Sequence, residues 1–364
     1  MKQTNLPRRE FLKTTLSGLA LAGLASSPMA LSRVKKVGVA LVGLGNYSEH
    51  LLARALLSCE HCELRGIVTG TPSKIPIWQN TYDIPDSNVY SYDNMHTIAN
   101  NPDIDVVYVV VPTALHLKYA EIGANAGKHV WCEKPMAMTV AQCQRMIDVC
   151  NKNKVQLTVG YRMQHEPNTR KLRRYALVDK FGAVKHIEAR AGYAGNGLPA
   201  SNWRMQKAMG GGAMYDMGVY PVNGARFLSN LEPIAITASH DKSHPKIFKE
   251  VDETTNFTLE FPDGVIADCA TSVVKSYNRI AVSCENGGYR LSPMSEYSGV
   301  QGRTSRGEVL RPIRMMQQTL QMDNDALAIL NKGQILVPGE DAMKDIQIVE
   351  AAFKSAQTGK RVTL

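Results

Sequence analysis

The chain has 364 residues, 44% hydrophobic and 21% charged, with a formal charge of +9. At roughly 150 residues per domain this length suggests two domains, and the composition excludes disordered, collagen-like and low-complexity chains. No run approaches the roughly 18 apolar residues of a membrane-spanning helix, so a membrane-embedded helical protein is excluded too.

The first thirty residues read as an address. Pro7-Arg8-Arg9-Glu10-Phe11-Leu12-Lys13 is a basic stretch, followed by mildly apolar residues over 16–25 and then small ones. That order is an export signal, and Gly18 and Gly23 argue against a helix of the fold. The arginine pair before Phe-Leu-Lys resembles the twin-arginine motif, with Pro7 where Ser or Thr is usual. Cleavage after Ala25 or after Ala30 fits equally. The reading places residues 1–30 in the signal and expects a periplasmic protein with no membrane anchor in its mature form. Beyond residue 30 the charge falls to 38 Lys plus Arg against 32 Asp plus Glu.

Residues 36–42 form a short β-branched run, read as a buried strand, which leads into Gly43-Leu44-Gly45-Asn46-Tyr47-Ser48. A helix over 49–57, a strand over 63–68 and a helix over 94–100 follow. Residues 105–111 are nearly all Val and Tyr, as in a central parallel strand covered on both faces. Helix 114–126, strand 129–132, helix 140–151 and strand 155–159 complete a doubly wound parallel sheet. In the glycine turn Gly43 permits the bend and Gly45 admits a pyrophosphate, while Ser48 replaces the third glycine of the fingerprint. A buried strand just before it favours a dinucleotide site over a plain turn.

The second strand ends Val68-Thr69-Gly70-Thr71, with Ser73 and Lys74 beyond it. Hydroxyls and an ammonium, without the acid that binds a ribose 2′-hydroxyl, suit a 2′-phosphate. NADP is expected, with NAD possible. The seven cysteines include Cys59-Glu60-His61-Cys62. That spacing suits redox or metal chemistry, but no second pair completes a zinc site. Structural thiols are expected, and no metal is assigned. Glu133-Lys134-Pro135 follows the fifth strand at the ligand-binding edge of such a sheet. There an ammonium can move the proton of a substrate hydroxyl.

Beyond residue 160 the densest basic cluster, Arg170, Lys171, Arg173 and Arg174, lies on a helical stretch. It reads as a solvated face, because phosphate-tracking surfaces interleave basic residues with aromatics or glycines; nucleic acid is not an expected partner. Trp203-Arg204 precedes Gly210-Gly211-Gly212, which are expected to let the backbone approach a ligand. On a helix over 213–228, Asp216 and Tyr220 share one face and offer a carboxylate and a phenol to a polyhydroxylated substrate. Strands over 232–239, 254–261, 265–274 and 280–284 and helices over 316–330 and 341–358 close the chain. Such a sheet, covered by helices on one face, leaves the other free for a homo-oligomer (a dimer or tetramer).

The order Gly-Leu-Gly, Glu133-Lys134-Pro135, Gly160-Tyr161-Arg162, Trp203-Arg204 and Gly-Gly-Gly-x-x-x-Asp216-x-Gly-x-Tyr220 resembles the Gfo/Idh/MocA oxidoreductases. The likeness is closest to the glucose–fructose oxidoreductase branch, which has Tyr where many relatives have His at the position of Tyr220. It implies an N-terminal Rossmann domain, here 31–160, and a C-terminal α/β domain over 161–364. The second domain would carry a large, mostly antiparallel open sheet. Lys134, Asp216 and Tyr220 would form the catalytic group. Gly43, Gly45, Asn46, Tyr47, Thr69, Lys74, Pro112, Thr113, His116, Glu133, Lys134, Arg162, Trp203 and Arg204 would surround the cofactor. The expected activity is NADP-dependent oxidoreduction of an aldose, with a second sugar recycling retained cofactor in a ping-pong cycle. After the expected signal only residues 31–35 precede position 36, unlike that branch's long mature N-terminal arm, which leaves cofactor retention open. The alternatives are a glycosidase of this fold working by transient oxidation, and a non-catalytic sugar-binding protein.

Overall fold

Runs of Val, Ile and Leu build the first sheet of the computed structural model, which describes residues 36–195 and 197–364. The expected export signal over 1–30 lies outside the described residues. The six strands are β1 (Val37–Val42), β2 (Cys62–Val68), β3 (Val89–Tyr90), β4 (Val106–Val109), β5 (His129–Cys132) and β6 (Leu157–Val159). They pair in parallel in the order β3-β2-β1-β4-β5-β6. The chain thus winds outward from β1 in both directions and opens a crevice at the carboxyl ends of β1 and β4. Every residue of β1 and β4 is buried, as strands covered on both faces require.

Helices α1 (Ala53–Leu56), α2 (Ile75–Tyr82), α3 (His116–Asn125) and α4 (Val140–Lys152) connect these strands. A π turn over Ser48–Leu52 precedes α1, and the helix expected over 94–100 is a 3₁₀ segment, Met95–Asn100. α4 shows how local sequence sets an element. The Thr139 hydroxyl accepts from the Gln142 amide at 3.2 Å as its N-cap, a contact worth about 1 kcal/mol. Cys143, Met146, Ile147 and Cys150 then fall on one buried face.

The second sheet is mostly antiparallel. Its strands are β7 (Val184–Ala194), β8 (Ala235–Asp241), β9 (Thr254–Glu260), β10 (Ile266–Ser272), β11 (Val274–Cys284), β12 (Gly287–Leu291), β13 (Gly302–Thr304), β14 (Val309–Leu310) and β15 (Val362–Thr363). The order is β14-β13-β12-β11-β7-β10-β9-β8-β15, with only the β7–β10 pair parallel. The remaining helices are α5 (Pro167–Leu177), α6 (Val219–Ser229), α7 (Gln317–Ile329) and α8 (Gly339–Thr358). α6 and α8 pack on one face of this sheet. The other face carries Glu188, Arg190, Asp268, Arg279 and Arg290, all at least partly exposed.

The first sheet ends at Val159 and the second begins at Val184, but the helices do not divide in the same way. α7 buries Met322 and Ala326 in one apolar layer with Val39, Leu41, Tyr108 and Trp131 of the first sheet. Its polar side is thereby brought up behind the crevice.

Candidate active site

A cleft of about 1110 Å³ opens over the carboxyl ends of β1, β4 and β5 and is walled on its far side by residues of the second half. All sixteen candidate site residues named from the sequence line it.

The glycine turn forms one end. Gly43 has φ +97°, and a Cβ there would lie 2.4 Å from the Val110 carbonyl oxygen, so only glycine fits against the end of β4. A Cβ on Gly45 would meet nothing within 4 Å, which leaves the backbone open to the cleft. That open floor is what a pyrophosphate needs, so these residues fit a dinucleotide. Ser48 explains the incomplete fingerprint: its buried hydroxyl donates to the Gly43 carbonyl at 2.6 Å and pins the turn. Lys74 arches back over the turn and donates to the Leu44 carbonyl at 2.5 Å, with the Glu49 carboxylate 3.6 Å away. The Thr69 hydroxyl beside it accepts from the Thr71 amide.

The middle of the cleft is built on buried polar groups. Glu133 accepts from the Tyr108 hydroxyl at 2.6 Å and from its neighbour's amide, Lys134 N, at 3.3 Å. A Cβ at position 160 would stand 2.7 Å from Glu133 Oε1, so Gly160 leaves room for this carboxyl. Burial pushes the Glu133 pKa up, partly opposed by Tyr108 and Lys134. His116 is buried, with Nδ1 2.9 Å from the Pro135 carbonyl and Nε2 2.8 Å from that of Val111. It braces the Glu-Lys-Pro loop against the end of β4, and burial holds its pKa down.

The catalytic candidates converge from distant segments. Lys134 Nζ donates to the Asp216 backbone carbonyl at 2.8 Å, lies 3.9 Å from its carboxylate, and stands 4.7 Å over the Tyr220 ring. Burial alone would pull the Lys134 pKa down; the fields of Tyr220, Asp216 and Glu133 outweigh it and hold the pKa above the ordinary lysine value. Asp216 is buried too, yet Arg204 and Lys134 pull its carboxyl below the usual range. Its Oδ2 accepts from the Tyr193 hydroxyl at 2.8 Å and Arg204 Nε at 3.1 Å. The Arg204 guanidinium in turn lies 4.4 Å over the Trp203 ring.

Arg162 faces the second half of the molecule. It donates to the Ser295 carbonyl and the Gln317 side chain, both at 2.5 Å, and to the Tyr220 hydroxyl at 3.3 Å. It therefore fixes the Tyr220 phenol and the 295–297 loop.

One expectation is corrected. Gly210, Gly211 and Gly212 do not offer backbone to a ligand; they pack on their own chain. A Cβ on Gly210 would lie 2.7 Å from Thr113 Cβ, one on Gly211 2.3 Å from the Arg204 carbonyl oxygen, and one on Gly212 2.1 Å from Asp252 Oδ1. Asp252 also accepts from the Met214 amide at 2.8 Å, anchoring the start of a π turn, Met214–Gly218, that runs into α6. The glycines seat this helix start, which carries Asp216. Tyr193, Asp252, Tyr297 and the α7 glutamines were not found from the sequence, because each acts through contacts made only by folding.

Cys59 and Cys62 lie close to Asp323 of α7, with their ligand atoms within 4.8 Å of one another. Both Asp323 oxygens accept backbone amides of the intervening turn, Glu60 N at 3.1 Å and His61 N at 2.8 Å. The cluster ties that turn to α7.

Two family models match the chain: the oxidoreductase family with an NAD-binding Rossmann fold over residues 37–161, and the GFO/IDH/MocA C-terminal domain over 169–290. Among curated proteins, D-xylose 1-dehydrogenase [NADP(+)] of Haloarcula marismortui is 26% identical over 349 residues, spanning 90% of this chain and 93% of its own. Among solved structures, the aldose-aldose oxidoreductase of Caulobacter crescentus, complexed with glycerol, superposes with a TM-score of 0.85 and 35% identity. It covers 91% of this chain and 100% of its own. The scyllo-inositol dehydrogenase of Lactobacillus casei with NAD(H) and scyllo-inositol shares the fold, with a TM-score of 0.75 and 19% identity over 90% of this chain and 99% of its own. With both halves matched and the motif residues gathered around one cleft, the chain belongs to the Gfo/Idh/MocA family of NAD-binding oxidoreductases.

Proposed function

We propose that the cleft exchanges hydride between NADP and the hydroxyl or carbonyl group of an aldose. The observation that carries this reading is the Lys134 ammonium, set between Asp216 and the Tyr220 ring at the floor of a cleft whose other end is the glycine turn. The nicotinamide, when bound, supplies the hydride acceptor or donor. The side chains do the rest. Lys134 holds a proton for the sugar oxygen in the reducing direction and, as the free amine, takes one in the oxidising direction. Asp216 Oδ2 is committed to Tyr193 and Arg204, which leaves Oδ1 to accept a sugar hydroxyl. Trp203, Tyr193, Tyr277 and Tyr297 line the outer cleft and offer rings to the C–H faces of a sugar.

NADP is preferred over NAD on the position of Lys74 and the hydroxyls beside it, and the xylose dehydrogenase relative uses NADP. The twin-arginine-like segment and the likeness to an aldose-aldose oxidoreductase support the finer reading. In it, the folded protein carries its cofactor to the periplasm and recycles it with a second sugar. A homo-oligomer would use the charged open face of the second sheet. The test is to purify the protein without added cofactor, denature a portion and assay released NADP(H), then add glucose and follow reduced nicotinamide. Stoichiometric NADP that is reduced by aldose and reoxidised by a second sugar supports the paired cycle. Turnover only with external NADP leaves a simple dehydrogenase, and no reduction by any aldose overturns the reading.

A further inference from the structure

α7 turns a row of glutamines toward the back of the cleft. Gln317, Gln318 and Gln321 are each 1% exposed or less, although glutamine is mostly a surface residue. Each amide reaches a different loop of the site. Gln317 accepts from Arg162 and donates to the Glu296 carbonyl at 2.7 Å. Gln318 Nε2 donates to the Tyr47 hydroxyl at 3.2 Å, and Gln321 Nε2 to the Tyr108 hydroxyl at 2.9 Å. Packing against the first sheet needs none of these amides, and burying them costs free energy unless they are bonded.

The Gln321 contact has a direction. An amide N–H is only a donor, so it occupies the Tyr108 oxygen as acceptor. The single Tyr108 proton then goes to Glu133 Oε1, 2.6 Å away. The chain from Gln321 through Tyr108 to Glu133 points one way and delivers a hydrogen bond to a carboxyl whose pKa burial raises. We propose that Gln321 is a positioning residue of the dinucleotide site: by directing the Tyr108 proton to Glu133, it keeps that carboxyl an acceptor for a hydroxyl of the bound cofactor. The titratable groups facing Glu133 are Lys134, Arg162, Tyr108, Tyr47, Tyr297 and Cys132; of these only Tyr108 is altered below, and Gln321→Glu adds a carboxyl whose own charge also raises Glu133, so the neutral variants Tyr108→Phe and Gln321→Met decide the outcome.

The test is an infrared titration of the Glu133 carboxyl in full-length, dinucleotide-free protein, with the band assigned by its loss in Glu133→Gln. NADP dissociation constants are measured alongside. Gln321→Glu puts an acceptor where the donor was and draws the Tyr108 proton away; Tyr108→Phe removes the relay; Gln321→Met removes the donor at similar volume. Glu133 should titrate about one pH unit higher in Gln321→Glu and Tyr108→Phe, and by less in Gln321→Met. NADP should bind about tenfold more weakly in the first two, and Gln321→Met should add nothing in the Tyr108→Phe background. An unmoved Glu133 titration, or additive effects of the two mild substitutions, would overturn the proposal. If Gln321→Glu fails to fold, Tyr108→Phe and Gln321→Met give the same reading. The inference rests on the proposed dinucleotide site only for its binding readout. The titration needs no dinucleotide, so failure of the relay and failure of the site are distinguishable.

Discussion

Neutralising Asp216 is the sharpest probe of how the cleft would set Lys134 as its proposed proton donor. Asp216→Asn removes one charge while leaving the shape: the amide oxygen can still accept from Tyr193, and Lys134 keeps its 2.8 Å bond to the backbone carbonyl. The lost attraction acts over 3.9 Å between two side chains that are 14% and 9% exposed. At an effective dielectric of about 20 it is about 4 kcal/mol, or about three pH units on Lys134. Water at the cleft mouth and local relaxation reduce that to about one or two units. The sign follows from the proposed reaction: aldose oxidation would need the free amine, and Asp216, with Tyr220, holds the Lys134 pKa above the ordinary lysine value against the pull of burial. In the wild type, kcat/KM for oxidation should therefore rise only at the alkaline end. In Asp216→Asn that rise should begin about one or two pH units lower, even though neutral-pH activity falls with the lost sugar contact. The assay is kcat/KM for aldose oxidation against pH at saturating NADP. A limb that stays in place, or moves upward, refutes the assigned electrostatics.

Three further substitutions probe other parts of the account. Lys74→Ala should weaken NADP binding about tenfold or more and leave NAD nearly unchanged; equal losses for both, by titration calorimetry, would contradict a 2′-phosphate role. Gly160→Ala places a methyl 2.7 Å from Glu133 Oε1 and should cost about 1–3 kcal/mol in stability together with NADP affinity. A variant with unchanged Tm and dissociation constant would show that the carboxyl is not confined there. Asp325, buried beside Thr158, has its pKa pushed up to about 8 by burial. Because the folded state then binds a proton that the unfolded state releases near pH 4, stability falls as pH rises from about 4 to 8, by up to about 5 kcal/mol. Asp325→Asn should remove that slope, so its advantage over the wild type in urea unfolding should grow between pH 5 and pH 8. A pH-independent difference would rule this out.

The first sheet was legible because parallel strands buried on both faces are written as unbroken runs such as those of β1 and β4. The second sheet was only partly so. Its central strand β7 alternates Ile187, Ala189 and Ala191 inward with Glu188 and Arg190 outward, and small alanines give a weak period-two signal. β12 to β15 are at most five residues each, too short to be written as a pattern. For the site, motif residues were readable where backbone geometry dictates residue type, as at Gly43. The partners of those residues were not. The Tyr193 bond to Asp216 spans 23 positions and the Gln321 bond to Tyr108 spans 213, and no local pattern announces either. The glycines 210–212 were readable as a place of close approach, but a sequence does not say whether the approaching group is a ligand or Asp252.

The central claim, that Lys134 handles the proton while hydride passes between aldose and nicotinamide, is tested most directly in a single turnover. NADP-loaded protein is mixed with aldose, and reduced nicotinamide is followed by absorbance in the wild type and in Lys134→Met. The account predicts stoichiometric reduction in the wild type and a rate at least about a hundredfold lower in Lys134→Met, which should still bind NADP. A variant that binds NADP and reduces it within a few-fold of the wild-type rate would contradict it.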